Sequence, residues 1–332
     1  MLISPSHKTR ALAGLLSLLA LLAPANAQDS AANYPSRNVT LVVPFAPGGG
    51  TDILARMIAR RLEGAWGKSF VVENRPGAGG VVGAQAVTRA APDGHTLFLG
   101  SATNMAVNVA LYKKLPYEPA KDFTPLALAA ATPFVLVVNP SLPVKSVAEF
   151  IAYAKERPGQ LSYATSGPGV PHHLFIEMLS SMTGLKMTMV PYKGSLPALN
   201  DVAAGHVPLM MVDIGPALGT IQGGGVRALG ISTAERFGAI KDVPPIGETV
   251  KGFDAAGWFM VAGPGGLPQH IAAKIHGELD KFFAEDETKA EVIRAGLLPL
   301  KNKSLPDLQQ FIVDEIGRWG DVVRKAGIEG TF

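Results

Sequence analysis

The sequence contains no cysteine. This absence excludes a disulfide framework, a thiolate catalyst and a thiol that carries a lipid anchor. Beyond residue 27 the sequence also has no uninterrupted apolar run of about 18 residues, the length that a membrane helix requires. Stability must therefore come from a large apolar core, and 47% of the 332 residues are hydrophobic. At roughly 100–200 residues per domain, this length predicts two domains.

A strong excess of charge of one sign is also missing. The chain has 30 Lys and Arg residues against 27 Asp and Glu residues. Lys8 and Arg10 belong to the leader described next, and without these two the balance is 28 to 27. No cluster of Lys and Arg alternates with aromatic residues, which is the pattern of nucleic-acid-binding surfaces. We therefore exclude nucleic acid as a partner.

Residues 1–27 have the pattern of a cleaved secretory signal peptide. Two basic residues precede an apolar stretch, residues 11–22, and Ala25-Asn26-Ala27 has the small-x-small form of a cleavage site. The apolar stretch is short for a membrane span and is followed by Pro24. Together with the absence of cysteine, this pattern predicts a free periplasmic protein, exported in a Gram-negative bacterium.

The first strongly patterned segment of the remaining chain runs from Leu41 to Asp52. A β-branched apolar run ends at Pro44, a Pro/Gly loop follows, and apolar residues then recur at helical spacing. The three glycines 48–50 allow a close approach of the backbone, and the first N–H groups of a helix suit an anion. The segment predicts a strand, a glycine loop and a helix N-terminus. Tight packing alone also explains such a loop.

The same arrangement returns at residues 161–174, where a strand leads into Ser166–Val170 and Pro171 opens a helix. Residues 41–101 read as βαβαβ, the unit of an open sheet with helices on both faces. Such sheets bind ligands outside the carboxyl ends of their strands, where these loops lie. Neither loop contains Lys or Arg, so a carboxylate would be met by N–H groups, helix dipoles and hydroxyls. The hydroxyls are those of Thr51, Ser101, Thr132 and Ser166.

Cofactor and metal sites are not supported by the sequence. The segment 77–83 follows a strand and opens a helix, but Val82 stands where the dinucleotide fingerprint needs its third glycine. His172 and His173 are adjacent on a helix and point about 100° apart, with no third ligand grouped nearby. We expect no cofactor and no metal. One of the two histidines is expected to contact the ligand, and the other to be packed or solvated.

Two further side chains carry alternative interpretations. Ser166 with a histidine suggests a serine hydrolase, but its surroundings lack the G-x-S-x-G elbow, and nothing in the sequence assigns an acid partner. Asp213 ends a strand, so it lies either near the cleft or at the cap of the following helix.

Several segments, taken in order from about Tyr34 to the C-terminus, resemble the Bug family, the periplasmic substrate-binding proteins of tripartite tricarboxylate transporters. Each segment is weak alone, but the ordered set is specific. The segments are Pro44–Asp52, Val72–Gly80, Pro92–Thr96, Asp122–Pro125 and Val190–Gly194, followed by Asp213.

The resemblance implies a type II periplasmic-binding-protein fold, in which two α/β lobes are joined by two crossing strands with a ligand cleft between them. Lobe one would comprise residues 28–130 plus 254–332, and lobe two residues 131–253. One ligand carboxylate would be held between the two strand–loop–helix motifs. Many relatives carry Asn-Leu-Pro where this chain has Ile214-Gly215-Pro216. The candidate ligand-binding residues are Phe45, Ala46, Gly49, Thr51, Asp52, Ser101, Thr132, Ser166, Gly169, Val170, His172 and Asp213.

The predicted function is that of a monomeric periplasmic receptor without catalytic activity. It would capture a small carboxylate in the interlobe cleft and deliver it to the membrane subunits of a tripartite tricarboxylate transporter. One alternative is the same receptor serving a sensor kinase. An alternative from another class is a secreted serine hydrolase that uses Ser166 and His172. The sequence leaves open which carboxylate is bound.

Overall fold

The computed structural model describes residues 33–331, and the predicted signal peptide lies outside them. No helix within this range is long and apolar enough to cross a membrane. The strands are β1 (Val39–Val43), β2 (Phe70–Asn74), β3 (Thr96–Ser101), β4 (Phe123–Thr132), β5 (Phe134–Val138), β6 (Ser162–Thr165), β7 (Thr188–Pro191), β8 (Leu209–Asp213), β9 (Arg227–Ile231), β10 (Gly257–Pro264) and β11 (Leu298–Pro299).

Most helices follow the strands that they pack against. They are α1 (Gly50–Trp66), α2 (Val81–Thr88), α3 (Asn108–Leu111), α4 (Pro119–Asp122), α5 (Val147–Lys155), α6 (Pro171–Thr183), α7 (Ser195–Ala204), α8 (Ile214–Gln222), α9 (Gln269–Ala284), α10 (Asp286–Arg294) and α11 (Leu305–Lys325). Short 3₁₀ turns occupy Ala78–Gly80, Gly238–Ile240 and Ile246–Glu248, and a π-helical turn occupies Thr103–Val107.

The strands form two sheets, each the centre of an α/β lobe. The six-stranded sheet of lobe one has the order β11-β4-β10-β3-β1-β2, and the five-stranded sheet of lobe two has the order β7-β6-β8-β5-β9. The predicted βαβαβ unit is confirmed, because β1 pairs in parallel with both β2 and β3. Strand β1 is an almost continuous apolar run because helices cover both faces of the sheet.

The chain passes between the lobes at the carboxyl edges of the parallel strands. Strand β4 ends at Thr132, β5 begins at Phe134, and Pro133 is the single residue between them. Thr132 pairs with Gly257 at the start of the returning strand β10, and Phe134 pairs with Asp213 at the end of β8. The two crossings therefore lie beside the loops that follow β1, β3, β6 and β8.

Helix α11 of lobe one links the returning strand to lobe two. The Oε2 atom of Glu315 accepts hydrogen bonds from the indole N–H groups of Trp258 in β10 (2.6 Å) and Trp319 (2.8 Å). The ring of Trp319 stacks on Phe175 of α6, with ring centroids 5.8 Å apart. Arg318 pairs with the other carboxylate oxygen of Glu315 at 3.2 Å. The buried carboxylate is thus fully hydrogen-bonded, as buried charges require.

Replacement of Glu315 by alanine should destabilise the protein by about 3 kcal/mol, because two buried indole N–H groups lose their acceptor at ~1–3 kcal/mol each. The melting temperature should fall by several degrees. Glu287→Ala, at an exposed position, is the matched control. Equal melting temperatures for the two variants would show that the Glu315 cluster does not stabilise the fold.

Candidate ligand-binding cleft

The predicted site residues lie at the facing edges of the two sheets. In lobe one, β1, β3 and β4 run in the same direction, because β3 and β4 are both antiparallel to β10. Their carboxyl ends carry the loop after Val43, Ser101 and Thr132. In lobe two, β6 and β8 are parallel and end before Ser166 and at Asp213. The crossings join these two edges, so the edges face each other across a cleft.

The glycine loop of lobe one is shaped by a buried carboxylate. Asp52 lies in the first turn of α1 and is 4% exposed. It accepts a hydrogen bond from the N–H of Gly48 (3.1 Å), two from Arg56 (3.0 and 3.1 Å) and one from Nδ2 of Asn74 (3.1 Å). The same Nδ2 atom also donates to the carbonyl oxygen of Phe45 at 3.0 Å. Asp52 thereby ties the two ends of the loop to β2 and to its own helix.

These contacts decide the charge of Asp52. Burial raises the pKa of its carboxyl group, but the hydrogen bonds from Arg56, from the N–H of Gly48 and from Asn74 outweigh burial and hold the pKa below its usual value. Asp52 is therefore ionised at neutral pH, and its charge is matched by Arg56 beside it. The first intrahelical bond of α1 runs from the N–H of Ile53 to the carbonyl oxygen of Gly49. Helix geometry consequently leaves the N–H groups of Gly50, Thr51 and Asp52 without intrahelical partners.

The loop of lobe two is held by a chain of three side chains. Ser166 Oγ lies 2.9 Å from Nδ1 of His172, and Nε2 of His172 lies 2.9 Å from Oδ1 of Asp213. A carboxylate only accepts hydrogen bonds, so Nε2 of His172 donates to Asp213, and in the neutral ring Nδ1 is then the acceptor for the serine hydroxyl. The imidazole also packs edge-on against Phe134, with ring centroids 5.1 Å apart. Asp213 occupies the N-cap position of α8, but its side chain makes no capping hydrogen bond.

The neighbouring His173 fastens the other end of the same loop. Its Nδ1 atom accepts a hydrogen bond from the N–H of Gly169 at 3.0 Å, and its ring stacks on Tyr163 at a centroid distance of 6.3 Å. Burial lowers the pKa of His173 to about 4, so the ring is neutral and Nδ1 stays an acceptor. The two adjacent histidines thus point to different partners, as their helical spacing predicted, and both shape the loop.

The remaining predicted residues differ in their access to solvent. Ala46 is exposed, and Phe45, Gly49 and Ser166 are partly exposed, while the others apart from Asp213 are buried. Ser101 is engaged by Asn104, whose side chain accepts a hydrogen bond from the Ser101 N–H at 2.8 Å and donates one to its hydroxyl oxygen at 3.3 Å. Thr51 and Thr132 are each 7% exposed, the first in the opening turn of α1 and the second beside the crossing.

Four residues that shape the loops were not among the predicted site residues. They are Arg56, Asn74, Asn104 and His173. Arg56 lies four residues after Asp52 on one helix, and this spacing alone predicts an ion pair. Within residues 33–331, no group of three or more His, Asp or Glu side chains is arranged to hold a metal ion.

The Ser166–His172–Asp213 chain has the residue types of a hydrolytic triad, and Asp213 is the acid partner that the sequence did not assign. The position of the serine is different from that of an elbow nucleophile. Five loop residues, 166–170, separate β6 from α6, whereas an elbow places the nucleophile in a sharp turn directly between strand and helix.

Stability near pH 5 should depend on His173. The unfolded chain binds a proton at this side chain below about pH 6.5, whereas the folded chain does so only below about pH 4. Since the unfolded state binds more protons in this window, the free energy of unfolding should fall as the pH falls from 6.5 to 4, by at most ~1.4 kcal/mol per pH unit from this residue.

His173→Gln should remove this contribution, so the variant's unfolding free energy should change less steeply over the window than that of the wild type. Urea unfolding at a series of pH values measures the difference. His206→Gln serves as the control, because the side chain of His206 is 69% exposed. Identical slopes for wild type and His173→Gln would contradict the assignment of a neutral, buried His173.

Comparison with known proteins shows similarity to this chain in both sequence and structure. Residues 54–328 match the family described as tripartite tricarboxylate transporter family receptor. The protein BugT of Bordetella pertussis is 36% identical over 301 residues, which are 90% of this chain and 92% of BugT. The structure of R. palustris Rpa4515 with adipate is 40% identical, with a TM-score of 0.84 over 89% of this chain and 99% of that one. MatC (Rpa3494) from Rhodopseudomonas palustris with bound malate is 34% identical, with a TM-score of 0.79 over 87% and 100%.

Proposed function

This chain belongs to the tripartite tricarboxylate transporter receptor family, and we propose that it is an exported receptor that captures a small carboxylate between its lobes. The resemblance to the Bug family is confirmed, and so is the predicted two-lobed fold. Receptors of this family are periplasmic and bind substrates without transforming them. The protein is therefore a binding protein rather than an enzyme, and the Ser166–His172–Asp213 chain holds a binding loop.

The observation that carries the proposal is the pairing of two loops that offer N–H donors but no free cation. In lobe one, the donors are the N–H groups at the start of α1, directly after the loop that Asp52 holds in place. In lobe two, Val170 is the N-cap of α6 and Pro171 has no N–H. The first N–H group of that helix is therefore that of His172. Both helix dipoles present their positive ends at the cleft edge, which favours an anion.

The anion that we propose is a carboxylate of a small acid. Two relatives have structures with adipate and malate, which are both dicarboxylates. The twelve predicted residues remain our proposal for the site. Those most directly placed to touch the acid are the partly exposed loop residues and the first-turn N–H groups. Asp52, in contrast, is engaged by protein donors, so we assign it the role of holding the loop.

We further propose that closure is a hinge motion at the two crossings, in which the ligand stabilises the closed state by contacts absent from the open one. The predicted lobe boundaries, after residues 130 and 253, are supported by the end of β4 at Thr132 and the start of β10 at Gly257. The proposal includes cleavage of residues 1–27 on export, a monomer, and delivery of the acid to the membrane subunits of a tripartite tricarboxylate transporter. Delivery to a sensor kinase is the alternative.

Thermal unfolding of residues 28–332 in the presence of adipate, malate and their neutral amides tests the capture of a carboxylate. An acid at ~100 times its dissociation constant should add ~2.7 kcal/mol to the free energy of unfolding and raise the melting temperature by a few degrees. The matched amide should have no such effect, because it carries no charge for the helix dipoles. Equal shifts by an acid and its amide would contradict the proposed site.

Ser166→Ala should weaken binding of the same acid without creating or removing any reaction, because it releases one support of the loop. Ser181→Ala, an exposed serine of α6, is the control. Hydrolysis of a carboxylic ester by the wild type, lost in Ser166→Ala and retained in Ser181→Ala, would overturn the receptor assignment.

A further inference from the structure

The two lobes meet backbone to backbone at a pair of glycines. Gly215 is the second residue of α8 in lobe two, and Gly296 lies between α10 and β11 in lobe one. A Cβ atom on Gly215 would stand 2.7 Å from the carbonyl oxygen of Ala295 and 3.7 Å from Cα of Gly296. A Cβ atom on Gly296 would stand 2.5 Å from the backbone nitrogen of Gly215. Neither position has room for a methyl group while the lobes are arranged in this way.

The segment that carries Gly296 contacts both lobes. Leu297 packs in the apolar core of lobe one, and its Cδ2 atom lies 3.6 Å from the Cβ position of Gly50, the first residue of α1. Leu298 packs against the apolar core of lobe two. Leu298 also pairs with Ala131, next to the first crossing. The glycine contact therefore lies beside the first crossing and close to the start of α1.

A second direct contact between the lobes involves another glycine. Gly169, in the loop of lobe two, packs against Leu111 at the end of α3 in lobe one. A Cβ atom on Gly169 would overlap Cδ2 of that leucine. The φ angle of Gly169 is +72°, so a substitution there would also strain the backbone. Gly215 has no such constraint, so its replacement by alanine tests the contact alone.

We infer that Gly215 and Gly296 are positioning residues for ligand capture, because their direct contact allows the lobes to close far enough for both loops to reach one ligand. The inference rests on the proposed receptor function. A methyl group at 2.7 Å from a carbonyl oxygen is far inside van der Waals contact, and packed backbones do not compress. The lobes must therefore move apart at the contact, and a separation beside the crossing becomes larger at the distant rim of the cleft.

The contact requires a residue without a side chain at the middle position of Ile214-Gly215-Pro216. A leucine side chain at position 215 would not fit against Ala295 and Gly296 as they are placed here. The close approach of α8 to lobe one is thus a property that glycine gives to this sequence.

The test measures the distance between the lobes directly. The chain has no cysteine, so spin labels at Val82→Cys and Leu196→Cys form a single pair. Both positions are about half exposed, and each lies in the first two residues of a helix that follows the carboxyl end of a strand. Double electron–electron resonance measures the distance between the two labels without ligand, with adipate and with malate, in the wild type and in each glycine variant.

Gly215→Ala should lose the short-distance population that the wild type shows, and should lower the affinity for the acid at least tenfold. Gly219→Ala is the matched control, because it lies in the same helix with no atom within 4 Å of its Cβ position. Gly296→Ala, which adds the methyl group on the lobe-one side of the contact, should lose the same short-distance population and the same affinity. Its control is Gly266→Ala, which has φ +80° against +79° for Gly296 and open space at Cβ. Melting temperatures of variant and control establish that the changes are not unfolding.

Distances in Gly215→Ala and Gly296→Ala equal to those of their controls would overturn the inference. So would a wild type that shows no short-distance population under any condition, because the contact would then not form. A short-distance population in the wild type that neither acid increases, but that both glycine variants lose, would support the glycine contact while contradicting the capture of adipate or malate.

Discussion

The structure depends on one short crossing, in which a single residue, Pro133, separates the last strand residue of lobe one from the first of lobe two. On either side of it the chain is fixed by pairing: Thr132 with Gly257, and Phe134 with Asp213. The carboxyl edges of both sheets are thereby held next to each other. Loops that bind ligands leave parallel strands at this edge. The crossing therefore brings the loops that follow β1 and β3 close to the loops that follow β6 and β8.

Charged side chains near the proposed site hold its loops in place. Asp52 is neutralised by Arg56, and Asp213 is bonded to the ring of His172. His173 is kept neutral by burial. In the proposed site, the loops would therefore offer N–H groups and helix dipoles to the ligand. Such donors suit a carboxylate in general, so we expect selection among acids to come from the shape of the closed cleft.

Local patterns predicted the elements of the fold well. The strand, glycine loop and helix over residues 41–52, its counterpart over 161–174, and the parallel βαβαβ unit follow from periodicity and turn residues. Helix α10 begins at Asp286, and the acidic residues Asp286 and Glu287 in its first turn favour a helix N-terminus there. The π-helical turn at Thr103–Val107 could not be predicted from the spacing of apolar residues. It packs against α11, which is distant in the sequence.

Contacts between distant residues were beyond the sequence. Ser166, His172 and Asp213 come together only because β6 and β8 are neighbours in the sheet, and a separation of 41 residues between His172 and Asp213 carries no local signal. The same holds for Asn74, which reaches Phe45 across 29 residues. The close approach of Gly215 to Gly296 depends on the arrangement of two lobes, and that arrangement is a property of the tertiary structure alone.

We propose that one carboxylate is held by backbone N–H groups of both lobes at once. Amide chemical shifts of ¹⁵N-glycine-labelled protein test this, because glycines 48–50 report on lobe one and glycines 167 and 169 on lobe two. On titration with an acid that raises the melting temperature, both sets should shift along a single saturation curve. Shifts confined to one lobe, or absent from both while the acid stabilises the protein, would contradict the claim.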